Sequence, residues 1–266
     1  MGYDISYHAI GKEEMEQWYF EPLKRAQKGN FESIAKIARP SGMDEFYVEK
    51  YTDSFRSALE YGVDSIFNKT HGFHIAVAQG YFREYFYTRG TAFSFLAEQN
   101  SKFKPYISDW REVLPAEFSG QIHNEIIESY CCGAYLDAAS VQKLLRDYEA
   151  GGEIKEAIDQ FYVQNLPVFL KALNLACELG IGLLEATEVV EPNPFDLNKS
   201  ESFSNLFNCD TQGALIYAEI AAQQVSEAIE RDKAAHGRDE KHSDENHASH
   251  NGSKKSLFDK IKGVFK

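Results

Sequence analysis

The side chains best suited to chemistry are carboxylates gathered in the last third of the chain. Glu185, Glu188 and Glu191 follow at intervals of three, and Asp196 and Asp210 come after them. Clustered carboxylates can act as a general acid and base, or hold a Mg²⁺ ion. Charged side chains at a strand edge also have a simpler use, because they keep the edge from aggregating. We expect a solvated acidic edge that binds a positively charged partner.

Histidines provide further candidate sites. His71 and His74 stand three residues apart, a spacing at which one helix face can present both to a metal ion. No carboxylate is close to this pair in the sequence, so a capping or core role is the simpler expectation. His8 and His123 are lone candidates for a general base. A further group of histidines near the end of the chain could bind a metal ion loosely. Because they are irregularly spaced among acidic residues, we expect them to be solvated; they are His236, His242, His247 and His250.

Sequence motifs assign no enzymatic class. The chain has no G-x-S-x-G, P-loop, H-E-x-x-H or EF-hand loop, and no G-x-G-x-x-G after a strand. The four cysteines show no C-x-x-C spacing, and we expect buried reduced thiols. No catalytic residue, metal or cofactor is predicted. The alternative to a binding protein is a hydrolase-type enzyme, metal-assisted or not, for which a pocket would have to join His8, His71 or His123 to two acids.

Negative charge is concentrated in the first 230 residues. The whole chain has 28 Lys and Arg, 41 Asp and Glu, and a formal charge of −13. Nine of the basic and six of the acidic side chains lie from residue 231 onward. Residues 1–230 therefore carry 19 basic and 35 acidic groups, a charge of −16. Such a surface repels nucleic acid and anionic lipid and attracts basic partners, so we expect a basic protein partner and no nucleic acid.

Apolar spacing predicts a mainly α-helical domain that positions these carboxylates. Residues 73–99 are so rich in apolar and aromatic side chains that neighbouring elements must enclose them. Other segments repeat apolar residues every three or four positions, which is typical of amphipathic helices. Helices are expected over residues 12–27, 31–38, 44–68, 73–99, 119–130 and 153–164, with further helices after Asp137, Asn165 and Asp210.

A small β element completes the predicted helical, bundle-like fold. Residues 3–8 alternate apolar and polar side chains, which indicates a half-buried strand with His8 on its polar side. The best partner strand lies in residues 183–190, where Thr187, Val189 and Val190 favour extended backbone. The fold class predicted from the sequence is therefore mainly α, with a two-stranded β element.

Composition divides the chain into three parts. Residues 1–230 form the predicted globular domain. Residues 231–253 contain no apolar side chain larger than alanine and are expected to be a disordered linker. The last segment, from Lys254 to Lys266, places Leu257, Phe258 and Ile261 among lysines, which predicts a short basic amphipathic helix. That helix could make weak contact with an anionic membrane, fold back on the acidic domain, or bind another protein.

Hydropathy favours a cytoplasmic protein. The most apolar stretch, residues 166–184, is interrupted by Lys171 and Glu178, and a bilayer-crossing helix needs about 20 mostly uncharged residues. The first ten residues lack a basic region followed by an apolar one, so no secretion signal is predicted.

Two stretches carry a resemblance to other proteins. They are Met1-Gly2-Tyr3-Asp4-Ile5-Ser6-Tyr7-His8, with Glu13-Glu14-Met15 and Trp18-Tyr19-Phe20 after it, and Ser204-Asn205-Leu206-Phe207-Asn208-Cys209-Asp210, with Gly213-Ala214-Leu215 after it. Together they cover about a tenth of the chain. They resemble a group of bacterial cytoplasmic proteins with no assigned activity, which look like immunity partners of secreted (polymorphic or type VI) toxins. The resemblance implies toxin neutralisation and assigns no site residue.

Charge and resemblance together favour a non-enzymatic immunity protein. A strongly acidic surface can imitate a polyanionic substrate and occupy the basic cleft of a toxin such as a nuclease. The expected binding residues are the acidic side chains of the predicted strand and of the polar loop from residue 191 to 210. Loops of this length are often functional. The alternatives are the hydrolase-type enzyme and an adaptor recruited to membranes by the terminal helix.

Overall fold

A five-stranded sheet runs through the protein, for which the computed structural model describes residues 2–239. The strands are β1 (Asp4–Ala9), β2 (Tyr85–Arg89), β3 (Cys132–Leu136), β4 (Leu183–Thr187), β5 (Val190–Glu191), β6 (Glu201–Ser202) and β7 (Cys209–Asp210). The order across the sheet is β3-β4-β1-β2-β7, in which only β2 and β7 run parallel. Strands β5 and β6 form a separate two-stranded antiparallel ribbon.

The predicted fold class was wrong, because the chain is an α+β protein and not a helical bundle with a minor β element. The main error lies in residues 73–99, which do not form one helix. The helix there ends at Phe82, the backbone of Arg83 is extended, and β2 follows. Tyr85 and Phe86 belong to the apolar and aromatic stretch that was predicted as one helix, yet aromatic residues next to Thr88 favour a strand once β1 is available as a partner.

The predicted pairing of the first strand with residues 183–190 is confirmed. Strands β1 and β4 are antiparallel, with Ile5 opposite Thr187 and Ala9 opposite Leu183. The expectation that β1 is half-buried was wrong, because helices cover both faces of the sheet. His8 therefore lies in the core, although its polar neighbours in the sequence suggested a solvent-facing side.

Helices occupy most of the remaining chain. They are α1 (Lys12–Met15), α2 (Glu21–Gln27), α3 (Phe31–Ala38), α4 (Glu45–Ala58), α5 (His71–Phe82), α6 (Phe93–Gln99), α7 (Trp110–Val113), α8 (Ala138–Glu149), α9 (Glu153–Tyr162), α10 (Leu166–Leu179) and α11 (Thr211–Asp239). A π-helical turn, Glu16–Phe20, joins α1 to α2. The helix predicted over residues 119–130 is absent, and that segment has no regular structure.

Two helical layers sandwich the sheet. Helices α1 to α5 pack on the face that presents Leu184 and Ala186. Helices α6, α8, α9 and α10 pack on the face that presents Ile5, Tyr7 and Ala9. Since every apolar position of β1 is covered, the sheet is a rigid base from which the surface loops extend.

The predicted domain boundary at residue 230 falls inside α11, which continues to Asp239. The rest of the predicted linker and the whole predicted helix from Lys254 to Lys266 lie outside the described residues, so the membrane-adaptor alternative concerns a part of the chain beyond the structure. Within residues 2–239, no helix is both long enough and apolar enough to cross a bilayer.

Helix α11 crosses β2 at a glycine. A Cβ atom on Gly213 would lie 1.8 Å from the carbonyl oxygen of Tyr87, far inside van der Waals contact. Tyr217, one turn further along α11, packs against the Tyr87 ring at 6.2 Å between centroids. Only glycine allows the helix backbone to approach the strand this closely.

Substitution of this glycine tests the packing of α11 on the sheet. Gly213→Ala is expected to lower the free energy of unfolding by about 1–3 kcal/mol, because the new methyl group forces the helix away from β2. Urea unfolding followed by circular dichroism measures the loss. Gly2→Ala is the control, since the nearest atom to its Cβ position is 3.5 Å away. A Gly213→Ala protein as stable as the control variant would contradict the described contact.

His8 is held in its neutral form beneath α5. Its Nδ1 lies 2.6 Å from Oε1 of Gln79, and its Nε2 lies 2.8 Å from Oγ of Ser6. The Gln79 oxygen can only accept, so Nδ1 carries the hydrogen and the Ser6 hydroxyl donates to Nε2. Burial lowers the pKa of His8 to about 4, and the hydrogen bond to Gln79 only partly opposes this shift.

Stability is expected to fall through His8 as the pH is lowered from about 6.5 to 4. In that interval the unfolded chain binds a proton at His8 that the folded protein does not bind. The stability that the folded protein has above pH 6.5 is therefore reduced as the pH falls. The loss is about 3 kcal/mol for a pKa of about 4. His8→Asn cannot take up this proton, and its stability should vary less steeply with pH in urea titrations. An equally steep profile for the variant would contradict the assignment.

Candidate functional site

Glu185 lies in the protein core and not at an acidic surface. Its Oε1 accepts a hydrogen bond from the backbone N–H of Ala134 at 2.8 Å, and its Oε2 accepts one from Ser94 at 3.1 Å. A Cβ atom on Gly133 would lie 2.3 Å from Oε1, so glycine makes room for the carboxylate. Burial raises the pKa of Glu185. The side chain joins β4 to β3 and to the start of α6, and no partner can reach it in this fold.

Glu188 positions a neighbouring loop. Its carboxylate accepts the backbone N–H of Tyr130 at 3.1 Å, and its own N–H donates to the carbonyl of Asp4 at 2.7 Å. Burial raises the pKa of Glu188. Both Glu188 and Tyr130 have positive φ angles, of 53° and 54°, which side chains other than glycine rarely adopt. Two strained residues in direct contact are typical of sites where function constrains the backbone.

Asp196 and Asp210 are engaged locally. Asp196 caps the short turn Leu197–Lys199 and forms an ion pair with Lys199 at 3.1 Å. Asp210 accepts the backbone N–H of Gln212 at 3.0 Å at the start of α11, as predicted, and pairs with Lys171 at 2.9 Å. The five predicted carboxylates are thus spread over the core, two surface turns and the short strands β5 and β7.

Glu191 differs from the other four because it lines a large cleft of about 860 Å³, a volume within the range of ligand sites. Helices α4 and α5, the β5–β6 ribbon and the loop that carries Tyr130 form its walls. We call it the acidic cleft. Its lining residues are Lys50, Asp53, Ser54, Ser57, Glu60, Tyr61, Lys69, Phe73, His74, Val77, Tyr81, Tyr130, Glu191, Glu201, Ser202 and Phe203.

Side chains of α4 and α5 donate hydrogen bonds to the backbone at the end of β6 and just after it. The ammonium group of Lys50 donates to the carbonyl oxygens of Ser202, at 2.5 Å, and Ser204, at 3.2 Å. The hydroxyl of Tyr81 donates to the carbonyl of Phe203 at 2.8 Å. Burial lowers the pKa of Lys50. These bonds hold one wall of the cleft in place.

Three aromatic rings form a second wall. Phe73, Tyr130 and Phe203 lie 5.5–6.1 Å apart between centroids, and each pair is nearly perpendicular. This edge-to-face arrangement is favourable for aromatic rings. Tyr130 is 45% exposed and Phe203 is 49% exposed, so both rings are available to a ligand.

Carboxylates outnumber cations in the lining. Two lysines, Lys50 and Lys69, stand against four acids, and Lys69 forms an ion pair with Glu128 at 2.8 Å. Glu191 and Glu201 are directly opposite each other on β5 and β6. Like charges in that position destabilise a strand pair. A cation bound between them would remove the repulsion.

His74 is the histidine that lines the acidic cleft, together with the carboxylates of that lining. Burial, together with the nearby His71, lowers the pKa of His74 to about 4, so the ring is neutral at pH 7. His8 and His71 are held by Gln79 and Tyr19 respectively, and neither lines the cleft. Among residues 2–239, the buried His71 Nε2 and His74 Nδ1 have no hydrogen-bond partner, and no three His, Cys, Asp or Glu side chains are placed to hold a metal ion.

Sequence reasoning missed most of the cleft. Tyr130, Phe203 and Lys50 were not singled out, because the contacts that unite them join residues more than 70 positions apart in the chain. One signal was present in the sequence: a polar loop that contains several phenylalanines, Phe195, Phe203 and Phe207, all of which are exposed. Exposed apolar residues mark an interaction site only where they form a contiguous patch, and of these three rings only Phe203 lines the cleft.

Comparison of this chain with protein-family models, with curated proteins and with solved structures finds no match. The function proposed below therefore rests on the geometry of the acidic cleft.

Backbone strain at Tyr130 can be measured with a matched pair of variants. Tyr130→Gly and Tyr130→Ala both remove the ring, but only alanine keeps the penalty of a positive φ. The glycine variant is expected to be more stable than the alanine variant by about 1 kcal/mol. At positions with a negative φ the order is the reverse, and alanine is the more stabilising residue. Chemical unfolding of both variants gives the difference. An alanine variant of equal or greater stability would contradict the strained conformation.

Proposed function

We propose that this protein is a non-enzymatic binding protein that captures a basic protein partner in the acidic cleft. The observation that carries the proposal is the pair of opposed carboxylates, Glu191 and Glu201, beside the partly exposed rings of Tyr130 and Phe203. Aromatic faces and carboxylates both attract cationic side chains. Within the proposal, the chain is an immunity protein that neutralises a basic bacterial toxin in the cytoplasm.

Both the net charge of the protein and the local charge of the cleft support this function. The net charge of −16 over residues 1–230 attracts a basic partner from a distance and speeds its encounter. At short range, the four acids of the cleft lining against two lysines keep its local charge negative. The ammonium of Lys50 is directed to backbone carbonyls and that of Lys69 to Glu128. Glu191 and Glu201 also line an adjoining pocket with Arg89 and Lys199, whose ion pairs are with Asp4 and Asp196.

Shape and burial support a docking role as well. The lining of the cleft combines an aromatic surface with polar groups at its edge. Pockets of this kind in protein–protein interfaces often hold a single anchoring side chain of the partner. The strained contact between Tyr130 and Glu188 keeps the cleft wall in a defined position before binding. A site organised in advance loses less conformational freedom when the partner docks.

A hydrolase-type enzyme is the second candidate, and one observation favours it. His74 lies in the same cleft as Glu60, Glu191 and Glu201, and its lowered pKa leaves the ring unprotonated, the form that a general base requires. Binding alone does not depend on that base. His74→Gln should leave the affinity for a basic ligand unchanged within about twofold, whereas it would abolish hydrolysis.

Binding of a fluorescent basic decapeptide of alternating lysine and glycine tests the proposal. Fluorescence anisotropy with the full chain should show binding that weakens as salt is raised, because exposed charges are screened. Glu191→Gln with Glu201→Gln should weaken it at least about tenfold, a change of about 1.4 kcal/mol. Glu149→Gln with Glu156→Gln is the control, since these exposed acids belong to α8 and α9 on the other side of the sheet.

Equal weakening by the two double variants would show that only total charge matters, and would contradict a role for the cleft. Absence of binding would contradict the function itself. The immunity role makes a further demand: the partner purified with the native chain must be toxic when produced alone, and the wild-type chain must restore growth where the Glu191→Gln, Glu201→Gln variant does not.

A further inference from the structure

The geometry points to arginine as the side chain that the acidic cleft accepts. We infer that the cleft binds a guanidinium group between the two opposed carboxylates and the aromatic wall, and binds a lysine ammonium more weakly. The inference rests on the proposed function and adds the identity of the anchoring residue of the partner.

Opposed carboxylates match the shape of a guanidinium. Side chains directly opposite on antiparallel strands have Cβ atoms about 4.5–5.5 Å apart. Glu191 and Glu201 therefore offer several oxygens to one ligand from neighbouring points. A guanidinium carries five N–H donors in a planar fork and can bridge such a pair, whereas an ammonium is a compact charge without that fixed geometry.

Glu191 is oriented before any ligand arrives. Its Oε1 accepts the hydroxyl of Tyr130 at 3.1 Å. The backbone of Tyr130 is in turn fixed by Glu188 at 3.1 Å. One oxygen of Glu191 is thus held by the aromatic wall, which places the carboxylate and the ring of Tyr130 next to each other. A ligand that bonds to the carboxylate also meets the ring.

Aromatic surface favours guanidinium over ammonium. The guanidinium group is planar and weakly hydrated, so it can lie on a ring with little loss of hydration, whereas an ammonium must give up strongly bound water. Tyr130 and Phe203 both expose nearly half of their surface at this wall. The cleft therefore selects between two cations that carry the same charge.

The same chain already uses this combination internally. Arg83 lies over the Trp18 ring at 5.2 Å and pairs with Glu14. Arg89 lies over the Tyr217 ring at 4.9 Å and pairs with Asp4. In both places one arginine joins an aromatic ring to a carboxylate. Lys143 and Lys155 make the same kind of contact, with Tyr106 and Asp147 and with Tyr148 and Asp159, so the recurring arrangement is a cation between a ring and a carboxylate. The acidic cleft presents the ring and the carboxylates, and the preference for arginine rests on the shape and weak hydration of the guanidinium.

Other ligand classes fit less well. Phosphate groups would meet four carboxylates and only two lysines, both already bonded to protein groups. Within residues 2–239, no three His, Cys, Asp or Glu side chains are placed to hold a divalent metal ion. A single cationic side chain, with apolar carbons to cover the rings, uses both walls of the cleft.

A pair of peptides with one charge each tests the inference. The probes are acetyl-Gly-Ser-Arg-Ser-Gly amide and the same peptide with lysine, titrated into the full chain and followed by ligand-detected NMR. The arginine peptide should bind with a dissociation constant on the order of 1 mM, at least about fivefold tighter than the lysine peptide. Glu201→Gln and Phe203→Ala should each reduce this preference. Phe207→Ala should not, since Phe207 is 87% exposed but lies outside the acidic cleft.

Each result decides a different point. Equal affinity for the two probes, or a preference that survives Phe203→Ala, would overturn the arginine inference. If the two peptides bind equally and both need Glu191 and Glu201, the basic-partner function stands without it. If neither peptide nor the basic decapeptide binds, the proposed function and the inference fail together.

Discussion

Two carboxylates of the same charge are held directly opposite each other, and the acidic cleft depends on that constraint. Each strand of the β5–β6 ribbon has only two residues, so the ribbon alone has few hydrogen bonds to resist repulsion between Glu191 and Glu201. The surrounding protein supplies the resistance. The ammonium of Lys50 donates to the carbonyl of Ser202 in β6, and the hydroxyl of Tyr81 donates to the carbonyl of Phe203 just after it. The Ser202 hydroxyl donates to the Val189 carbonyl at 3.0 Å. These contacts offset the local repulsion between the two carboxylates.

The central sheet explains why the cleft can be rigid. Helices cover both faces of β1 and β4, and the polar side chains they enclose, such as His8 and Glu185, are fixed by hydrogen bonds within the core. The loop that carries Tyr130 leads directly into β3, and the ribbon follows β4 after a short turn at Glu188. The Tyr130 loop and the β5–β6 ribbon therefore extend from neighbouring strands of one sheet. Motion of the loop relative to the ribbon would require deformation of that core.

Part of this fold could be predicted from the sequence, where a local pattern corresponded to a local structure. The alternation in residues 3–8 identified β1, and Asp137 and Asn165 marked the starts of α8 and α10. Strand β2 was missed because its aromatic residues also fit a helical stripe, and only pairing with β1, about 80 positions away, decides between the two. Strand β3 was missed because Gly133 lies within it, where it makes room for Glu185.

Within the site, the sequence identified charge but not position. The interval of three between Glu185, Glu188 and Glu191 suggested one acidic edge, yet the three side chains lie in the core, at a strained turn and in the cleft. The burial of each glutamate depends on which helices pack against β4, and the local sequence does not show which helices these are. The aromatic wall was likewise invisible, since Phe73, Tyr130 and Phe203 come from three separate regions of the chain.

The central claim is that Glu191 and Glu201 are held together against their mutual repulsion, and a double-mutant cycle on the full chain measures this directly. The free energy of unfolding is determined for the wild-type chain, Glu191→Gln, Glu201→Gln and the double variant, at low and high salt. We expect Glu201→Gln to raise stability by about 0.2–1 kcal/mol at low salt, with a repulsive coupling that shrinks as salt is added. A Glu201→Gln variant less stable than the wild-type chain, or a coupling that is attractive or indifferent to salt, would contradict the account.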